Sequence, residues 1–204
     1  MKLRSTLTLL VLVALVSGCQ STSIRSAWFD TDFTGPPMRK IIVVAGTDNV
    51  SGARAFEDAF VERLRAAGVD GIAGYTVITD AARASEETFV ANILNSGAQG
   101  LLLVRLLGVD TRTQVSTTMV PGGIAWGGAN WGWGGPTRMM VPVQQVSQYD
   151  LATVETKLFE TKTKQLVWAA TTSTFNPRSV ARETPAFADL IIGQLVARGI
   201  IQAK

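Results

Sequence analysis

The chain has 204 residues, with 19 Lys and Arg against 16 Asp and Glu, one cysteine and no histidine. Lacking histidine, it has no Ser-His-Asp or Cys-His nucleophile system and no histidine-ligated metal site. One cysteine allows no internal disulfide, so stability rests on a packed core.

The first 18 residues read as a secretory leader. Lys2 and Arg4 give a positive start, Leu7 to Val16 is apolar apart from Thr8, and Ser17 and Gly18 are small. The apolar run falls short of the about 20 residues needed to span a bilayer core. Without Lys2 and Arg4 the mature chain carries 17 basic and 16 acidic residues. These are scattered singly, so no nucleic-acid partner is expected. Leu15-Val16-Ser17-Gly18-Cys19 resembles the lipobox of bacterial lipoproteins, with Val16 where Leu is usual. The resemblance implies cleavage between Gly18 and Cys19, a diacylglyceryl group on the Cys19 thiol and an acyl chain such as palmitate on the new amine. Gln20, where an inner-membrane retention signal would place Asp, implies the outer membrane. The domain is then expected to face the periplasm and to be held to the membrane through acyl chains.

Residues 19–39 read as the lipidated N-terminus and a tether, rich in Ser and Thr and closing on Gly35-Pro36-Pro37. Trp28 and Phe29 are expected to dock on the domain that fills residues 40–204. Ile41 to Ala45 is a β-branched run of the kind buried on both faces of a sheet. A helix follows, with Phe56, Phe60, Leu64 and Ala67 inward, Glu57, Asp58, Glu62, Arg63 and Arg65 outward, and Gly68 as terminator. A second strand is expected around Tyr75 to Ile78. Ser85 caps a second helix that buries Phe89, Val90, Ile93 and Leu94 and ends at Gly97. Leu101 to Val104 opens a third strand that alternates to about Thr118.

The second half reads as two antiparallel strands, Val143–Phe159 and Leu166–Phe175, joined by the short link 160–165. A last helix is expected to begin with Thr184 as N-cap and Pro185 at its first position, and to end at Gly199. The fold class is therefore α/β with α+β character in the second half. One mixed β-sheet in βαβαβ-loop-ββα order has its helices packed on it.

Four stretches carry a resemblance: "RKIIVV", "LRAAGV", "SGAQGLLLVRL" and the hairpin "VETKLFETKTKQLVWAATTST". Over about residues 39–200 they are similar to the CsgG/TolB-N-like domains of small bacterial outer-membrane lipoproteins, a group that includes LpoB and many members of unknown function. The motifs are patterns of fold, and no functional residue carries over.

The search for chemistry yields little. "GTDNVSG" (46–52) lies between strand and helix but lacks a P-loop lysine and dinucleotide spacing, and reads as a connecting loop. Asp48, Asp80, Asp110 and Asp150 fall near expected strand ends, where a carboxylate-based hydrolase would need a converging pair. No cofactor or metal is expected, and no catalytic residue is assigned. The Gly/Trp-rich loop 121–136 stands out, because its glycines resist regular structure while Trp126, Trp131 and Trp133 demand an environment. Three readings stay open. The indoles bury on the domain, contact a protein partner, or meet lipid headgroups or glycan. The expected function is a non-catalytic, lipid-anchored accessory or partner-binding protein of the envelope. The alternatives are a component of an envelope assembly, in secretion or in activation of a cell-wall synthase, and a hydrolase. A pore of the CsgG kind would require long amphipathic strands, and Gly108 to Thr118 reads as too short and too polar for one.

Overall fold

The computed structural model describes residues 22–79, 85–125 and 137–202. The elements are β1 (Thr22–Phe29), β2 (Lys40–Gly46), α1 (Val50–Ala66), β3 (Asp70–Ala73), α2 (Glu86–Asn95), β4 (Gly100–Ala125), β5 (Thr137–Glu160), β6 (Leu166–Phe175) and α3 (Val180–Ala197). They form one six-stranded mixed sheet in the order β1-β6-β5-β4-β2-β3. β2 runs parallel to β3 and to β4, and the other neighbours are antiparallel. The expected α/β architecture with a single mixed sheet is the one observed.

The sheet is covered unequally. On one face α1 and α3 pack together over a core that includes Ile41, Val43, Phe60, Leu64, Leu102, Leu158, Trp168, Ile191 and Leu195. Phe56, Phe60 and Phe187 form an aromatic cluster between the two helices, with ring centroids 5.7–6.1 Å apart. Arg63 of α1 forms a forked pair with Asp189 of α3, both bonds 2.6 Å. On the other face α2 covers only the β2 region, with Ile42, Val44, Ile78, Ile93 and Ala98 in a smaller core. In β5 the alternation is as read: Ala152, Val154, Thr156 and Leu158 lie toward the large core, while Glu155 and Lys157 pair at 3.0 Å on the wetter face. The terminators Gly68, Gly97 and Gly199 all take positive φ, the conformation that favours glycine after a helix.

Five expectations need correction. The segment read as tether contributes β1, an edge strand that pairs with β6 from Thr22↔Thr174 to Phe29↔Trp168. The domain therefore starts at Thr22, because β6 would otherwise offer an open edge and Ile24 and Phe29 have a core to meet. The second strand is Asp70–Ala73, not Tyr75–Ile78. Gly71 and Gly74 obscured it, although Gly74 is needed: a Cβ there would lie 2.8 Å from the Val43 carbonyl oxygen. Tyr75 instead belongs to a 3₁₀ turn, Gly74–Thr76. The last helix starts at Val180 with Ser179 as cap, so Pro185 lies inside it and Thr184 donates to the Val180 carbonyl at 2.6 Å. In α2, Leu94 is exposed and only Ile93 is fully buried.

Glu57 is the fifth, and it inverts the reading. Placed among the solvent-facing charges, it is fully buried. One carboxylate oxygen accepts the Ala45 N–H at 2.8 Å and the other accepts the Tyr75 N–H at 2.8 Å. The cause is topological. β3 pairs with β2 only as far as Val43↔Ala73, so Ala45 extends past the end of that ladder and needs an acceptor from elsewhere. A carboxylate with two acceptor oxygens ties the strand end, the 3₁₀ turn and α1 together.

Candidate functional site

Gly18, Cys19, Trp126, Trp131 and Trp133 lie outside the described residues. What the structure places is the chain on either side of them: Thr22 at one end of the sheet, and Ala125 and Thr137 at the far end of a long hairpin.

That hairpin is the dominant feature. β4 has 26 residues and β5 has 24. β4 leaves its partner β2 after Gly46↔Arg105, and β5 leaves β6 after Leu151↔Phe175. Beyond these points the two strands pair only with each other, register running from Asp110↔Leu151 to Ala125↔Thr137. At about 3.3 Å per residue the ribbon extends about 50 Å from the sheet. The Gly108–Thr118 segment, read as too short, is thus part of a strand more than twice its length. Part of the Gly/Trp-rich loop is strand as well. Pro121 pairs with Met140, Ile124 with Arg138 and Ala125 with Thr137, and the irregularity between Pro121 and Ile124 takes up Gly122 and Gly123.

The ribbon changes character along its length. Near its base Asp110, Thr111, Arg112, Thr113 and Gln114 face Leu151, Asp150, Tyr149, Gln148 and Ser147. Thr111 donates to Asp150 at 2.7 Å, and the Tyr149 ring stacks on Phe175 with centroids 4.8 Å apart. Farther out, Val115↔Val146 and Met119↔Pro142 lie on one face and Thr118↔Val143 and Val120↔Val141 on the other. Val115, Met119, Met140 and Val146 are 58–62% exposed. Neither ribbon face is covered and neither outer edge is paired among the described residues. An isolated two-stranded ribbon is marginal in water, and open edges invite strand addition. Its long apolar outer half is therefore a surface with unused binding capacity.

At the base of the ribbon is a cleft of about 330 Å³, on the α1/α3 side. Its floor is Ala45, Val104, Leu106, Val109, Ala152 and Val154, and Phe56 and Phe187 close its inner end. Its rim comes from the starts of α1 and α3. Asn49 caps α1 by accepting the Gly52 N–H at 2.9 Å, and Ser179 caps α3 by accepting the Arg182 N–H at 3.3 Å. The position fits the rule that open α/β sheets bind ligands past the carboxyl ends of parallel strands. Sequence reasoning pointed to this end through Asp48 but missed the cleft, because its walls come from six separate elements.

The acids do not converge here. Glu183 is the one carboxylate among the lining residues of the apolar cleft. Asp48 lines a separate hollow with Arg54, Tyr75 and Thr79. Asp110 and Asp150 are in the ribbon, not at strand ends, and Asp80 is outside the described residues. Beside the Asp48 hollow, the Tyr75 hydroxyl donates to Asp58 at 2.8 Å, and this hydrogen bond raises the Tyr75 pKa above its ordinary 10.0. The Arg54 guanidinium sits 5.4 Å from the centre of the same ring. Among the described residues no group of His, Cys, Asp and Glu is arranged to hold a metal ion. No helix among them is long and apolar enough to cross a membrane, which says nothing of strands.

No protein-family model and no curated protein matches the chain, so the CsgG/TolB-N-like resemblance rests on its sequence motifs alone. Among solved structures, the chain is similar to the PelC dodecamer from Paraburkholderia phytofirmans in two crystal forms. Identity is 12% and 14%, the match covers 88% of this chain and 99% of that one, and the TM-scores are 0.47 and 0.45. It is also similar to the lipoprotein GNA1162 from Neisseria meningitidis, at 12% identity over 77% of this chain and 97% of that one, with a TM-score of 0.39.

Proposed function

We propose that this is a lipid-anchored accessory protein of the bacterial outer membrane, its domain on the periplasmic side, that binds an envelope partner through the projecting hairpin and performs no catalysis itself. One observation carries the reading. Thr22, three residues after the lipobox cysteine, pairs with Thr174 at the end of the sheet where the hairpin leaves it, since Phe175 is the last partner of β5. Three residues span at most about 11 Å. A lipidated Cys19 would therefore hold the hairpin base close to the bilayer, with its apolar outer half available to whatever lies there. Multiple acyl chains on one cysteine would give stable anchoring, where one chain gives only marginal binding.

The unpaired strand edges favour one narrower version, in which the protein is a component of an envelope assembly joined by strand addition. Secretion and activation of a wall synthase come from the sequence resemblance, a fold-level analogy only. The test is cellular. Cys19→Ser is expected to leave the leader uncut and to abolish fractionation of the mature protein with the outer membrane. Photo-crosslinkers at Val115 and Val146 are expected to capture a discrete envelope protein that a crosslinker at the domain-surface residue Glu62 does not. Normal processing of Cys19→Ser would overturn the anchor, and equal capture from all three positions would overturn the hairpin as binding surface.

A further inference from the structure

The apolar cleft at the hairpin base needs an occupant, and the chain itself carries one within reach. Val104, Leu106, Val109, Ala152, Val154 and Phe187 make a largely apolar hollow of about 330 Å³, at the low end of the roughly 300–1,000 Å³ typical of small-ligand sites. It holds the lower ends of apolar side chains on one side and opens between the first turns of α1 and α3 on the other. Thr174 lines it, and the Thr174 hydroxyl is 2.9 Å from that of Thr22, both buried on the same sheet face. The chain upstream of Thr22 therefore leaves from the wall of the cleft. Cys19 is three residues away, at most about 11 Å along an extended chain.

We infer that the cleft receives one of the acyl chains carried by Cys19, so that the protein shelters part of its own anchor. The inference rests on the lipoprotein reading and adds to it a destination for the lipid. An acyl chain matches the cleft chemically: it is narrow, uncharged along its length and suited to the apolar floor of Ala45, Val104, Leu106, Val109, Ala152 and Val154, with the polar groups Asn49, Ser179 and Glu183 at the helix-start rim. Each methylene withdrawn from water contributes about a fourfold factor in equilibrium. Covalent attachment next to the mouth also gives this chain a high effective concentration there, which a free lipid lacks. The remaining acyl chains stay available to the membrane.

The test uses the full chain, expressed with its leader and purified in dodecyl maltoside. A benzophenone amino acid replaces Val109, a half-exposed lining residue, or Val180 on the opposite rim should the first variant fold poorly. Trp28, which pairs with Ala169 on the other face of the sheet, is the control position. After irradiation and digestion, the adducted peptides are weighed. At least tenfold more adduct with the acylated Cys19 peptide at Val109 or Val180 than at Trp28 supports the inference. An adduct with detergent or phospholipid alone, or equal yields at both faces, overturns it. An unacylated Cys19 peptide in the same digest would overturn the lipoprotein reading first, and is told apart by its mass. As a second measurement, cis-parinaric acid fluorescence should rise at least tenfold more with a non-acylated chain made without the leader and Cys19 (residues 20–204) than with the native lipoprotein. Equal rises would mean that the anchor does not occupy the cleft.

Discussion

The same two strands make up the best-packed and the least-packed parts of this molecule. In its lower half β5 sets Thr156 and Leu158 under two helices with nothing exposed, whereas ten residues earlier Val146 is 62% exposed on a bare ribbon. The same pair of strands runs through both regions, with one register shift between Leu106 and Gly108 where the ribbon leaves the sheet. What differs is whether side chains find a second layer. A sheet is stabilised by what covers its faces and flanks its edges, and the ribbon beyond Asp110 and Leu151 has neither among the described residues. The difference separates a covered core from a ribbon whose faces are open among the described residues.

The largest effect is expected from removing the ribbon whole. Replacing residues 112–149 with Asn-Gly, a turn suited to a two-residue hairpin and here flanked by the Thr111↔Asp150 pair, should abolish capture of the partner. It should leave the melting temperature within a few degrees, because none of the large-core residues lies in the excised span. Calorimetry and in-cell crosslinking check the two halves. A collapse of stability would show that the ribbon supports the domain and is not a separable binding element.

The converse experiment strikes the core and spares the ribbon. Glu57→Ala would strand two buried backbone N–H groups, those of Ala45 and Tyr75. At about 1–3 kcal/mol for each unsatisfied group, the expected loss is about 3–5 kcal/mol, or roughly a 10 °C fall in melting temperature for a domain of this size. Glu57→Gln keeps one acceptor oxygen and should lose about half as much. A change of under about 1 kcal/mol in the alanine variant would mean that water replaces the carboxylate and the tie is dispensable.

The core region was far more legible in the sequence than the ribbon or the cleft. Ile41 to Ala45, the Phe56-Phe60-Leu64 spacing and the Leu166–Phe175 strand declare themselves, because burial on a regular element leaves a period in the sequence. Glu57 was misread for the same reason. Charge on a helix normally marks the wet face, and nothing local says that a strand ending early will need its carboxylate. The ribbon was only half visible: its polar base alternates weakly, and Pro and Gly near its tip look like breakers, although the ladder carries Pro121 and Pro142 and resumes after Gly122 and Gly123. The cleft could not be read at all, since Val109, Ala152 and Phe187 are far apart in the chain and meet only through sheet order and helix packing.

A smaller and opposite effect is expected inside the core. The Thr156 hydroxyl is buried with no hydrogen-bond partner among the described residues. Thr156 lies between Val104 and Ala170 on the neighbouring strands. Valine has nearly the same shape, so Thr156→Val removes the unpaired hydroxyl without opening a cavity. It should stabilise the domain by about 1 kcal/mol, a rise of roughly 2–4 °C. A fall in melting temperature would reveal a partner for the hydroxyl, such as a buried water. The matching change on the ribbon, Thr117→Val, should leave stability almost unmoved, since its surroundings are solvent on both sides.

The smallest effect concerns charge at the edge of the core. Tyr75 donates its hydroxyl to Asp58, and that bond is the main reason its pKa stands above 10.0. Because the neutral phenol is favoured in the folded state, the linked stability is fully present below the tyrosine pKa of the unfolded chain. It is lost as pH rises through the higher folded value. The loss therefore falls above pH 10 and leaves the neutral range flat. Asp58→Asn keeps a hydrogen-bond acceptor but removes the negative charge, so the ultraviolet titration of Tyr75 should move back toward 10. A Tyr75 titration unchanged by Asp58→Asn would mean that burial, not the carboxylate, sets its value. Asp58 on α1 would then have no part in joining the 3₁₀ turn to the helix.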